Sequence, residues 1–352
     1  MKNQLTILFF VLSGIFYLGC TSNLPQNQRQ DNHMEKFEWR PTACAPHLYP
    51  AKIVKGDFIF EDDSKIYIPA KWIMYNGWGD AGSAHIVGDD FKAVPTQLQI
   101  TWVSYIEKKS YTGTFKLPQR KIRELFEQGY TDQRGLKGNF STLNVGLAPG
   151  GIIILWIFGA GLALEIEQFQ AIETQVTMQD IYPDAIINID EHIQEGLQEI
   201  ARDVEEYGTI SSENIPYEAW SKKYRTRYNW TPQFVFADGG QHKKLLARFY
   251  NGEHYFLEHT NPLLRENKTW AVPKYYRINW TDKNQNNYGA HIYFDEGETF
   301  AAFRQLFDQN KATKAQLNIE IDKYNSNINI FLTNENEKIA LTQTRIKVYS
   351  MK

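Results

Sequence analysis

Three groupings in the chain hold side chains that could do chemistry. The first is Tyr75-Asn-Gly77-Trp78-Gly79-Asp80-Ala-Gly-Ser-Ala-His85. An indole between two glycines suits a loop that closes on a ligand. Asp80 and His85 would then supply polar contacts or proton transfer. The same pattern suits a loop pinned by one buried indole. The second grouping is His254-Tyr-Phe-Leu-Glu258-His259. It has one residue too many for an inverted zincin, and on a strand His254 and Glu258 share a face while His259 points away. Ordinary polar residues are expected there, and no metal. The third grouping is the carboxylate pairs Asp62-Asp63 and Asp89-Asp90. Both lie beside turns, where carboxylates serve backbone and solvent. No Gly-x-Ser-x-Gly elbow, phosphate loop or His-Glu-x-x-His is present. The sequence thus carries no catalytic signature, and no catalytic residue or cofactor is expected.

The two cysteines of the chain have different settings. Lys2 and the uncharged run Leu5–Leu18 make a short apolar segment ending in Leu18-Gly19-Cys20-Thr21. The run is too short for a membrane span, which needs about 20 residues, and fits a signal peptide over 1–19. Its end resembles a bacterial lipobox, with Tyr17 standing where leucine is usual. That resemblance implies acylation of Cys20 and a membrane partner through the lipid anchor. Thr21 is not the aspartate that retains such proteins in the inner membrane, so the periplasmic leaflet of the outer membrane is expected. Residues 20–36 read as a lipidated N-terminus and flexible tether. Cys44 is left without a partner, and a small buried role is expected for it.

Behind these residues stand the elements that must position them. The chain has 352 residues, 38 Lys+Arg, 41 Asp+Glu, 42% hydrophobics and 14% aromatics. That is room for about two domains, with no basic surface for nucleic acid. Leu98, Ile100 and Trp102 alternate, as do Tyr111, Gly113, Phe115 and Leu117. Pro118 opens a helix with Ile122, Leu125 and Phe126 on one face and Gly129 at its end. Residues 142–171 then read as three strands, with turns at Pro149-Gly150-Gly151 and Gly159-Ala-Gly161, the middle strand buried on both faces.

The same order recurs downstream. Ile278 and Trp280 lie 178 residues after Ile100 and Trp102, and Tyr288 to Phe294 alternate. Asp295 takes a capping place before Phe303, Leu306 and Phe307. Leu317, Ile319 and Ile321 mirror Leu143, Val145 and Leu147, and Ile328, Ile330 and Leu332 mirror Ile152, Ile154 and Trp156. Offsets run from 174 to 181. The expected fold is α+β: two tandem β-rich repeats, 37–180 and 216–352, each of antiparallel hairpins, one helix and a three-strand meander. An amphipathic helical connector over 181–215 carries Ile193, Leu197, Ile200, Val204 and Tyr207.

Gly77-Trp78-Gly79, Ile100-Thr-Trp102, Phe115-x-Leu117-Pro118 and the run Val145-Gly146-Leu-Ala-Pro149-Gly150-Gly151 followed by Trp156 resemble a proteobacterial lipoprotein family. That family is known as domain of unknown function 2931. The resemblance covers about 37–172, with a diverged second copy over about 220–350. The second copy has Ile321-Asp-Lys-Tyr-Asn in place of the glycine run. The resemblance brings no catalytic residues. It implies a periplasmic lipoprotein with a protein partner, an immunity protein that neutralises a secreted antibacterial effector. The abundance of aromatics, 9 Trp, 20 Tyr and 21 Phe, suits a binding module, with Trp78 expected among the exposed contacts. The alternative from the residues alone is an envelope enzyme or small-ligand-binding protein using the Gly77-Trp78-Gly79 loop.

Overall fold

The computed structural model describes residues 35–69, 71–82, 87–132, 134–203, 212–266 and 268–351. Strand β1 (Arg40–Cys44) is followed by β2 (Ala51–Ile59) and β3 (Lys65–Tyr67). The turn between β2 and β3 holds Asp62, whose carboxylate accepts from the Ser64 N–H and hydroxyl and is thereby held below the usual range. Strands β4 (Gln97–Ser104) and β5 (Lys109–Lys116) pair as a hairpin. Helix α1 (Gln119–Gln128) buries Ile122 and Phe126. Pro118 is its cap rather than its first helical residue, and Gly129 closes it with φ +60.

The three strands expected over 142–171 are β6 (Thr142–Ala148), β7 (Ile152–Gly159) and β8 (Leu162–Gln170). Residues Ile152 to Phe158 of β7 are buried throughout, as a strand covered on both faces requires. Strand β9 (Ile172–Thr174) leads toward α2 (Ile189–Asp203). Val204 and Tyr207, which the periodicity assigns to this helix, lie outside the described residues. Among the described residues no helix is long and apolar enough to cross a membrane.

The remainder of the chain continues with β10 (Arg227–Phe236), β11 (Gln241–Phe249), β12 (His254–Glu258), β13 (Lys268–Ala271), β14 (Pro273–Thr281) and β15 (Asn287–Tyr293). Asp295 caps α3 (Glu296–Phe303) by accepting from the Glu298 N–H. The helix expected through Phe307 widens at Arg304 into a π-helical turn over Arg304–Gln309. Strands β16 (Ala315–Ile321), β17 (Ile328–Thr333), β18 (Lys338–Ala340) and β19 (Arg345–Met351) complete the chain.

The protein is α+β, with sheets that are largely antiparallel. One five-stranded sheet has the order β9-β5-β4-β2-β3 and another β13-β10-β16-β17-β18. A nine-stranded sheet has the order β1-β6-β7-β8-β12-β11-β14-β15-β19. The pairs β1–β6 and β10–β16 are parallel. Two cores result. One packs Leu143, Val145, Leu147 and Ile153 against Ile100, Trp102 and Ile122. The other packs Leu245, Tyr276 and Ile278 against Trp230, Leu317 and Phe303. Residues 35–352 form one compact unit. The segments expected as separate domains meet within the nine-stranded sheet, where β8 joins β12 through Leu162–Tyr255 and Ala163–His254.

Candidate functional site

The Gly77–Asp80 loop lies at this junction. Gly77 and Gly79 have φ of +116 and +78, a conformation that side chains other than glycine's rarely adopt. A Cβ on Gly79 would stand 2.3 Å from the backbone of Gly252, in the turn between β11 and β12. Backbone therefore meets backbone, and no side chain fits between. Trp78 enters the same seam and is 8% exposed, the buried indole of one reading of this loop and not the exposed contact of the other. Its ring meets Trp156 edge-on at 4.9 Å, with Trp220 at 6.5 Å.

Gly146 explains the fit. A Cβ there would lie 2.3 Å from the Trp156 ring and 2.9 Å from the Trp78 ring. Its missing side chain is the space that the two indoles fill. The Trp156 Nε1–H donates to the Asn251 carbonyl at 3.2 Å. Asp80 pairs with Arg248 at 2.9 Å. Beneath lies a charged network: Arg225 with Glu165 at 2.6 Å, Arg227 with Glu253 at 2.8 Å, and the Glu165 N–H on Glu253 at 3.1 Å. Gly77, Trp78, Gly79, Asp80, Gly146 and Trp156 thus come together, although the sequence showed no link between the two motifs.

The other motif residues lie elsewhere. Pro149, Gly150 and Gly151 form one tight helical turn between β6 and β7, with φ of +76 and +73 at the glycines. The Gly150 N–H donates to Glu107, which also accepts from the Tyr111 hydroxyl at 2.7 Å. This network fixes the turn. Cys44 is free and fully buried, with the Asn144 amide on its sulfur at 3.5 Å. Burial pushes its thiol up to about 12, which removes the thiolate a nucleophile needs. His85 and Cys20 lie outside the described residues. Among the described residues no group of three or more His, Cys, Asp or Glu could hold a metal.

A cleft of about 510 Å³ opens where the loop meets the second part of the nine-stranded sheet. Asp80 and Trp78 form one wall. Arg248, Lys274, Tyr275 and Tyr293 form the other. Lys274 reaches it through a β-bulge. Arg248 pairs with Tyr275 and Phe249 with Pro273, so Lys274 is the extra residue, and bulges re-aim side chains in this way. The cleft's walls desolvate Lys274 and lower its pKa, against the pull of Asp80 in the opposite direction. His254 at the rim is pushed down to about 4 by burial and Arg248, so it stands neutral.

Sequence reasoning missed Arg248, Gly252, Lys274 and Trp220, because each is ordinary in its own segment. One signal was available. Tyr275 with Arg277, His291 with Tyr293, and Arg345 with Lys347 each alternate onto a single strand face.

Residues 24–218 match the family model described as protein of unknown function (DUF2931). No curated protein and no solved structure matches the chain.

Proposed function

The chain belongs to the DUF2931 family of proteins of unknown function, and from that premise we propose that it is a lipid-anchored envelope protein that recognises a protein partner. The lipobox-like end of the leader supports acylation at Cys20 and residence in the periplasmic leaflet of the outer membrane. An acyl chain contributes about 0.8 kcal/mol per buried methylene, so more than one chain makes a stable anchor. The partner implied by the family resemblance is a secreted antibacterial effector, which this protein would neutralise.

The reading includes an internal duplication. The sheet orders β9-β5-β4-β2-β3 and β19-β15-β14-β11-β12 are the same when corresponding strands are matched. So are β1-β6-β7-β8 and β10-β16-β17-β18, each opening on a parallel pair. From β4 and β14 onward the sequence offsets run in the same order, and this agreement supports two copies of one unit.

One observation carries the recognition reading. In the first copy, α2 lies over the outer face of the hairpin sheet, with Ile193 and Leu197 against Val54, Val103 and Tyr105. In the second copy, Arg277, Tyr293, Arg345 and Lys347 on the corresponding face are exposed. A duplicated scaffold that covers one face and leaves its counterpart open has a surface for a partner. Interfaces favour Tyr and Arg, which this face presents.

Two measurements test the reading. Labelling cells with a palmitate analogue should mark the wild-type chain and leave Cys20→Ala unmarked. Affinity capture of the acylated chain from its native envelope should return one stoichiometric protein. Return of the chain alone contradicts the reading.

A further inference from the structure

We propose that the open face of β11-β14-β15-β19 docks an acidic segment of the protein partner, with Lys274 seated in the cleft as its anchor. The inference rests on the protein-recognition reading and adds the surface and the partner's chemistry to it.

Strand register defines the face. Directly paired residues point to the same side of a sheet, so two rows can be read across it. One is Arg248–Tyr275–Tyr293–Arg345 and the other Leu246–Arg277–His291–Lys347. The next row contributes Lys244 and Tyr349. With the bulged Lys274, this surface holds the cations Lys244, Arg248, Lys274, Arg277, Arg345 and Lys347. Among the described residues two carboxylates lie within ion-pair distance of them: Glu258 is 3.6 Å from Lys244, and Asp80 is 2.9 Å from Arg248. Lys274, Arg277, Arg345 and Lys347 have no carboxylate within ion-pair distance among the described residues. The chain as a whole carries −3. A concentrated positive face on a net-acidic protein is unfavourable in isolation and favourable against an anionic partner.

The shape narrows the partner. Lys274 is exposed and lines the cleft together with Trp78 and Asp80. A Glu or Asp side chain on an extended segment lying along that cleft reaches it. The aromatic side chains are tied to one another. The Tyr275 hydroxyl and His291 Nδ1 are 2.6 Å apart, Tyr275 and Tyr293 rings meet at 48°, and Arg345 lies 4.6 Å over Tyr293. The His291 ring lies 17° from the Tyr293 ring plane and 30° from that of Tyr349. The rings present preorganised apolar edges beside the cations, an arrangement suited to peptide side chains.

The test uses the full chain, with a glutamate-rich peptide of about twenty residues as probe. Anionic phosphatidylglycerol vesicles and heparin serve as competing classes of ligand. The peptide should bind at low salt, weaken as salt rises, and lose at least about tenfold in affinity in K274E/R277E and in R345E/K347E. Reversal of Lys121 on α1, remote from the face, should leave binding unchanged. Unaltered far-ultraviolet dichroism shows that the variants fold. No peptide binding, binding unmoved by the reversals, or preference for vesicles or heparin overturns the proposal. The envelope capture separates the two readings. If K274E/R277E still retains the stoichiometric protein, protein recognition stands and the acidic-segment docking falls. If wild type retains no protein, the parent reading falls.

Discussion

At the scale of single residues, Gly146 and Trp78 explain each other. The glycine leaves a hole on one face of β6, and two indoles occupy it. Gly146→Ala should cost about 1–3 kcal/mol, the usual penalty for overpacking, and lower the melting temperature. A melting curve unchanged from wild type would refute this packing. Cys44 should resist a thiol reagent in the Cys20→Ala chain until the protein is unfolded, because its sulfur is buried and its thiol is raised to about 12. Rapid labelling of the native chain would contradict that. The Gly-Trp-Gly pattern was legible as a loop with two readings, and residue spacing could not choose between them. What decides is Gly252, which touches Gly79 from a turn more than 170 positions away. No local pattern carries that contact.

At the scale of elements, magnitudes separate what holds the seam. The Asp80–Arg248 pair is roughly 40% exposed on both sides, and pairs of that kind contribute about 0–1 kcal/mol. Gly79 stands against backbone in a left-handed conformation, where a Cβ meets both overpacking and dihedral strain. Gly79→Ala should therefore destabilise several-fold more than Asp80→Ala in a denaturant titration. Equal effects would show that charge, and not close approach, holds the loop. The buried network makes a sharper case. Arg227→Ala leaves Glu253, which is 4% exposed, without its cation, and the cost should be about 3 kcal/mol. Converting both residues to apolar ones should cost less than Arg227→Ala alone. Strands and helices were the most readable level of the sequence. The hairpin at 97–116, the three strands over 142–170 and the Asp295 cap follow from alternation and turn chemistry. The bulge at Lys274 was not readable, because a single extra residue leaves the strand's composition unchanged.

At the scale of the whole molecule, the shared nine-stranded sheet ties both parts of residues 35–352 together. Its acid sensitivity should be concentrated in the second part. His242 stacks on Phe234 at 4.0 Å and is pushed down to about 4 by burial, as is His254 at the rim. Both are neutral in the folded chain, while an unfolded histidine titrates near 6.5. Between those values the unfolded state binds the extra proton, so stability falls as pH drops from about 6.5 toward 4. His242 alone contributes at most about 3 kcal/mol to that loss. Melting temperatures at pH 7 and 5 should differ, and His242→Phe should reduce the difference. An unchanged difference would remove His242 from the account. The succession of strands along the chain was legible in alternation and spacing. The covering of one hairpin sheet's outer face was not, because it depends on where α2 packs.

The most direct measurement of the central claim is photo-crosslinking in the native envelope. A photoreactive amino acid at Arg277, on the open face, should give one discrete protein adduct. The same group at Arg120, exposed on α1, should give none. Adducts to lipid alone at Arg277, or the same protein at both positions, would contradict recognition through this face.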